Sequence, residues 1–102
     1  MYNRPGTGDE PIRVRQPRQG ETLGMVESML GSNKLRVRCQ DEKLRLCRIP
    51  GKLRKHVWIR EGDVVLVKPW DIQGTTHGDI LTRYTQTQVS VLRKKNLLKM
   101  DY

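Results

Sequence analysis

Between Arg48 and Trp70 the chain reads RIPGKLRKHVWIREGDVVLVKPW, with Lys52, Arg54, Lys55, His56 and Arg60 threaded through Leu53, Val57, Trp58 and Ile59. Closely spaced ammonium and guanidinium groups neutralise phosphates and donate hydrogen bonds to their oxygens, and an indole beside them offers a flat face to a base. The chemistry of such a stretch is non-covalent capture of a polyanion. Trp58 divides evenly between stacking and packing, Trp70 after Pro69 leans towards packing, and Tyr84 is open to either role. With aromatics at 5% and no phenylalanine, binding must lean on cations. That favours folded RNA, read by phosphate position and shape, over single strands laid across aromatic platforms.

The remaining reactive residue types do not converge on a catalytic site. His56 and His77 have no Cys or carboxylate at metal-ligand spacing, so no metal, cofactor or catalytic residue is expected. His56 among cations reads as a hydrogen-bond donor or a neutral spacer. Cys39 and Cys47 lack a CxxC arrangement. PGKLRK has a Gly-Lys pair without the second glycine and hydroxyl of a nucleotide-binding loop. Asp41 and Glu42 sit together at a predicted turn, where solvation accounts for them. The chain therefore reads as a binding protein and not an enzyme.

Composition agrees. The 102 residues suffice for one small domain, and 20 Lys and Arg against 11 Asp and Glu give a net charge of +9 at pH 7. Such an excess attracts polyanions, of which nucleic acid is the commonest partner of a small basic domain. No stretch approaches the roughly 18 apolar residues of a membrane span, and the N-terminus has no signal-like apolar core, which points to the cytoplasm.

The elements that must position these residues follow from periodicity. Residues 1–19, rich in Gly, Pro and Arg, read as a mobile basic arm. Thr22 to Leu30 reads as a long first strand with a bend or bulge at Gly24. Lys34 to Cys39 alternates Leu35, Val37 and Cys39 against Lys34, Arg36 and Arg38. With Gln40 to Lys43 as a four-residue connection, Leu44 to Ile49 becomes the third strand, Val37 faces Leu46, Arg38 faces Arg45 and Cys47 faces Arg36. That register places Arg36, Arg38 and Arg45 on one outer face, where like charges weaken a sheet unless an anion joins them. It also keeps the two thiols apart, so both are expected free. Because Leu44 and Leu46 fall out of phase with Ile49, a bulge is expected near Cys47.

After Pro50 and Gly51, the four-residue spacing of Leu53 and Val57 predicts a helical turn with Lys52, Arg54, Lys55 and His56 outside. Asp63 to Lys68, with four consecutive apolar residues, reads as a central strand. Asp79 to Thr85 is a fifth strand, with Ile80, Thr82 and Tyr84 assigned to one face. Thr85 and Gln88 have capping-box spacing for a short terminal helix. The expectation is an all-β, five-stranded antiparallel OB-fold barrel over residues 20–85, with a short helical turn between strands three and four. A short helix and tail follow over 86–102.

The stretch RLCRIPGKLRKHVWIREGDVVLVKPW, together with GETLGMVE before it and GDILTRY after it, resembles the translation initiation factor 1A family, the archaeal and eukaryotic counterpart of bacterial initiation factor 1. The resemblance covers about residues 20 to 95. It implies an S1-like OB barrel that binds the small ribosomal subunit at the A site, promotes recruitment of initiator tRNA, and cooperates with the initiation GTPase related to bacterial factor 2. Carried over residue by residue, it assigns RNA contacts to Lys34, Arg36, Arg38, Arg45, Arg48, Lys52, Arg54, Lys55, His56 and Trp58. His56 stands where a further basic residue is expected of the family. The chain ends at Lys99-Met100-Asp101-Tyr102 without the long acidic extension of eukaryotic members, which places it with the archaeal ones. Two other readings compete: a general RNA chaperone of cold-shock or S1 type, and a module whose basic face meets an acidic protein.

Overall fold

The computed structural model describes residues 14–31, 33–55 and 57–99. Five strands, β1 (Thr22–Met29), β2 (Lys34–Cys39), β3 (Leu44–Arg48), β4 (Val64–Pro69) and β5 (His77–Tyr84), close a barrel in the order β1-β2-β3-β5-β4. A single turn of helix, α1 (Gly51–Arg54), links β3 to β4, and α2 (Gln86–Lys94) follows β5. The pairs are antiparallel except β3 with β5, which run parallel. A purely antiparallel barrel was expected, and ring closure forbids it: strand directions cannot alternate around an odd number of strands, so one seam must be parallel. The α1 connection carries the chain across the barrel to β4, and β5 then returns to that seam.

Two apolar clusters hold the barrel, one on each side of the sheet. Val26, Leu35, Val37, Cys39, Cys47, Ile49, Val65, Val67 and Ile80 fill the interior, with Leu53 and Val57 packed against that cluster from the α1 side. The second cluster lies on the outer face of β1, β4 and β5, where Leu23, Val64, Leu66 and Tyr84 are covered by Leu92 of α2 and by Leu98. The unbroken run Val64 to Val67 has its explanation here. Val65 and Val67 point inward, Val64 and Leu66 point into the second cluster, and a strand buried on both faces needs apolar residues at every position.

Thr85 caps α2 as its spacing predicts: its hydroxyl accepts the Gln88 N–H at 3.2 Å, and the Gln88 side chain accepts the Thr85 N–H at 2.8 Å. At the other end Asn96 adopts φ +60°, and the N–H groups of Leu97 and Asn96 return to the carbonyls of Leu92 and Arg93. This Schellman closure reverses the chain and drops Leu98 into the outer cluster. The end of the expected N-terminal arm is also held. Val14 packs against the outer cluster, and the Tyr84 hydroxyl donates to the Arg15 carbonyl. The rest of that arm, residues 1–13, lies outside the described residues.

Four details of register differ from expectation. The β2–β3 connection has three residues, Gln40 to Glu42, because Glu42 takes φ +69° and Lys43 already pairs with Cys39. This is the three-residue hairpin in which a left-handed residue absorbs the twist. The shift by one residue pairs Val37 with Arg45 and Leu35 with Cys47, and it turns every β3 side chain over. Arg45, Cys47 and Ile49 therefore share the interior phase and no bulge is required near Cys47. In β1 the irregularity falls between Val26 and Ser28, not at Gly24. Gly24 pairs regularly with Cys39 and Val65, and a Cβ there would meet the Val37 Cγ1 at 2.5 Å; the position is small because the barrel is narrow. In β5 the extra residue Leu81 changes the phase, so Ile80 faces inward while Thr82 and Tyr84 face outward. Both cysteines are buried free thiols.

Candidate nucleic-acid interface

The interface begins on β2, whose alternation leaves Lys34, Arg36 and Arg38 exposed while Leu35, Val37 and Cys39 are buried. Lys34 pairs with Arg48 of β3, so the two cations stand side by side on the outer face at the end of the hairpin from which α1 departs. The Ile49 N–H donates to the Asn33 carbonyl at 2.9 Å and ties the two chain segments there together. Pro50, extended at ψ 146°, leads into α1, where Leu53 turns towards the interior cluster and Lys52, Arg54 and Lys55 remain exposed. Strand cations and α1 cations thus meet at one end of the barrel. His56 lies outside the described residues.

The cations fall into two groups by their partners. Arg38 pairs with Glu27, its Nε at 2.7 Å from one carboxylate oxygen. Arg48 pairs with Asp79 at 3.2 and 3.3 Å and lies 5.8 Å from the Trp70 ring centre. Among the described residues, no acidic partner is found for Lys34, Arg36, Lys52, Arg54 or Lys55. Uncompensated cations in one region raise the local potential and draw an anion to it.

Trp58 follows α1 with its side chain 81% exposed, beside a cleft of about 310 Å³ floored by Met29, Ile49, Val57 and Ile59 and flanked by Arg54. An indole this exposed is not packed into the barrel, which sets aside one of the two roles the sequence left open. Trp70 packs as expected. Its Nε1 donates to Asp79 at 3.1 Å, and its ring stacks on His77 with centres 5.0 Å apart. Asp79 therefore receives both Arg48 and Trp70, and no spacing rule in the sequence announces this cluster.

Arg45 departs from the expected outer face. It is 4% exposed, and its guanidinium forms a two-pronged pair with Asp41 at 2.9 and 3.0 Å and donates to the Gly74 carbonyl at 2.5 Å. Burial opposes ionisation of both groups, but the bonds between them outweigh it: the Asp41 carboxyl is held below its ordinary range and Arg45 is held firmly charged. With its donors committed and its charge enclosed, Arg45 fastens the β2–β3 hairpin tip to the loop before β5 and does not share the exposed outer face with Arg36 and Arg38. The signal that could have found it is Asp41, at the turn position that reaches back to a guanidinium four residues on. Sequence reasoning also passed over Arg83, whose Nη1 donates to the Trp58 carbonyl at 2.8 Å.

Comparison with known proteins bears on what this face meets. A family model described as Translation initiation factor 1A / IF-1 matches residues 11–101. Translation initiation factor 1A of Methanococcus aeolicus is 49% identical over 104 residues, spanning 100% of this chain and 99% of its own. The protein of the same name from Methanothermobacter thermautotrophicus is 56% identical over 91 residues, 89% of this chain and 92% of its own. Among solved structures, bacterial translation initiation factor 1 from the Wolbachia endosymbiont of Brugia malayi aligns with a TM-score of 0.50 and 29% identity over 71% of this chain and 85% of that one. YjeQ from Thermotoga maritima aligns with a TM-score of 0.53 and 28% identity over 64% of this chain, which spans only 23% of YjeQ.

Proposed function

Because the chain belongs to the translation initiation factor 1A / IF-1 family, a family of non-enzymatic factors acting in translation initiation, we propose that its basic face docks on folded rRNA of the small ribosomal subunit at the A site. There it promotes recruitment of initiator tRNA and assembly of the initiation complex, alongside the GTPase related to bacterial factor 2. The observation that carries this reading is the meeting of uncompensated cations from two elements, Lys34 and Arg36 of β2 with Lys52, Arg54 and Lys55 at α1, beside the exposed indole of Trp58. A rigid barrel holds these groups at fixed spacing, as recognition of folded RNA by phosphate position requires. Arg38 and Arg48 flank the face with charges already shared with Glu27 and Asp79, so their contacts with phosphate are the weaker ones. Arg45 contributes by holding the hairpin, and His56 extends the α1 cations in sequence.

Hydroxyl-radical footprinting of small-subunit rRNA with and without the protein tests the placement. Protection is expected around the decoding centre; protection confined to other regions overturns it. Replacing Lys52, Arg54 and Lys55 together by alanine is expected to abolish subunit binding while the barrel remains folded. A folded triple variant that binds at wild-type strength removes α1 from the interface. Equal competition by poly-U favours a general RNA chaperone, and competition by an acidic polypeptide favours a protein partner.

A further inference from the structure

Arg83 is oriented unlike the other cations of the surface. It pairs with Val65, whose side chain belongs to the barrel interior, so its stem leaves β5 on the inner side and the guanidinium emerges at the rim below Trp58. Its Nη1 donates to the Trp58 carbonyl at 2.8 Å, and its Nε is buried with no hydrogen-bond partner among the described residues. Burying a guanidinium nitrogen is costly, so an apolar residue would suit this position better if packing were its whole purpose. The held carbonyl belongs to a segment, residues 57–60, with no regular secondary structure. Ile59 anchors that segment by burial, the Val57 N–H donates to Leu53 at 3.1 Å, and the Arg60 N–H donates to Asp63 at 2.8 Å. The plane of the Trp58–Ile59 peptide is fixed by Arg83.

We propose that Arg83 is a positioning residue for the RNA site. Its guanidinium locks the peptide that follows Trp58, and so holds the backbone from which the exposed indole projects at the place where the ring receives an unpaired base of the partner RNA, without touching that RNA. This rests on the RNA-binding reading above and adds a division of labour to it: the α1 cations meet phosphate, whereas Arg83 acts through Trp58. Holding that backbone in place before binding removes an ordering cost that a loose segment would impose on each encounter.

Two measurements separate this inference from its premise. In the free protein carrying Trp70→Phe, Trp58 is the sole fluorophore of its kind, and time-resolved anisotropy reads its local motion. Arg83→Met is expected to raise the amplitude of the fast component, and Arg83→Lys to restore it in part. An unchanged decay overturns the positioning role, whatever RNA does. Should Arg83→Met fail to fold, the milder Arg83→Lys carries the test, with an intermediate amplitude expected and a wild-type decay overturning the role. For isolated archaeal small ribosomal subunits, Arg83→Met is expected to weaken binding by about three- to tenfold, the worth of one hydrogen bond. That loss should vanish in a Trp58→Ala background, with the salt dependence unaltered. An equal loss in both backgrounds, with the log–log salt slope reduced by about 0.7–0.9, would make Arg83 a phosphate contact and overturn the proposal. Wild-type subunit binding by Trp58→Ala would overturn the use of the indole for RNA, and the anisotropy would still report whether Arg83 holds the segment that carries it.

Discussion

Asp41 and Arg45 show how one pair of residues can direct a whole strand. An arginine on the inner phase of β3 is tolerated because a carboxylate reaches it from the turn and the Gly74 carbonyl takes a further N–H. Paired and hydrogen-bonded, the buried charge is tolerated; without a partner it is strongly destabilising. The carboxyl of Asp41 is depressed in the folded chain, so it binds its proton less tightly there than in the unfolded chain. Protons therefore favour unfolding: this contribution is present above the ordinary carboxylate value of about 4 and is lost as pH falls through the lowered folded value. Asp41→Asn should flatten the acid limb of the stability profile, read as urea midpoints between about pH 2 and 6. An acid limb as steep as that of the wild type would show that other groups carry it. The neighbouring Cys47 thiol is pushed up to about 12, first by burial and then by Cys39. Alkylating reagents at about pH 8 should leave both buried thiols unlabelled until the chain unfolds, and rapid labelling of the native protein would contradict their enclosure.

At the level of elements, the start of α2 was legible because capping is local chemistry. Thr85 and Gln88 satisfy orphan N–H groups at a spacing that the sequence displays directly. Thr85→Ala should lower stability by about 1 kcal/mol in urea unfolding, with Thr85→Ser close to wild type; an alanine variant as stable as the wild type would show that outer-cluster packing alone holds the helix. The β2–β3 hairpin was less legible. Its turn is set by a glutamate in a left-handed conformation, a residue type that gives little notice of that role. Counting one residue more in the turn moved Arg45 outward and Leu44 inward. Gly24 has its meaning only across the barrel, where a methyl group would press on Val37. Gly24→Ala is expected to cost about 1–3 kcal/mol through overpacking, measured against the same unfolding baseline; a neutral substitution would mean that Val37 can move aside.

The molecule as a whole is a small, strongly basic barrel with its apolar residues divided between an interior and one covered outer face. The opposite face is left to cations. With a net charge of +9 and an uncompensated region at one end, binding to a phosphate backbone should weaken linearly in log affinity against log salt, with about 0.7–0.9 of slope for each phosphate neutralised. Removing Lys52, Arg54 or Lys55 singly should lower the slope by about that amount and affinity only modestly. Titration of small subunits across a salt series measures both, and an unchanged slope in all three variants would place the phosphates elsewhere. Closure of the ring fixes these cations relative to one another, since a barrel has no free edge at which strands can fray or slide.

Period, capping and charge are properties of neighbouring residues, and the amino-acid sequence by itself determined what depends on them. These are the five strands, the α1 turn with Leu53 inward and its cations outward, the capped α2, and a basic face on β2 and α1. What depends on residues distant in the chain was decided only by the tertiary structure. Closing an odd ring imposed the parallel β3–β5 seam, and covering a second face made all of Val64 to Val67 buried. Enclosing Arg45 against Asp41 and Gly74 removed it from the surface on which its charge alone would have placed it. Trp58 shows the division most plainly. Its residue type was visible from the start, but a packed indole and a presented one differ only in what the fold brings up behind them. Here the fold brings Arg83 to the Trp58 carbonyl and leaves the ring itself open to solvent.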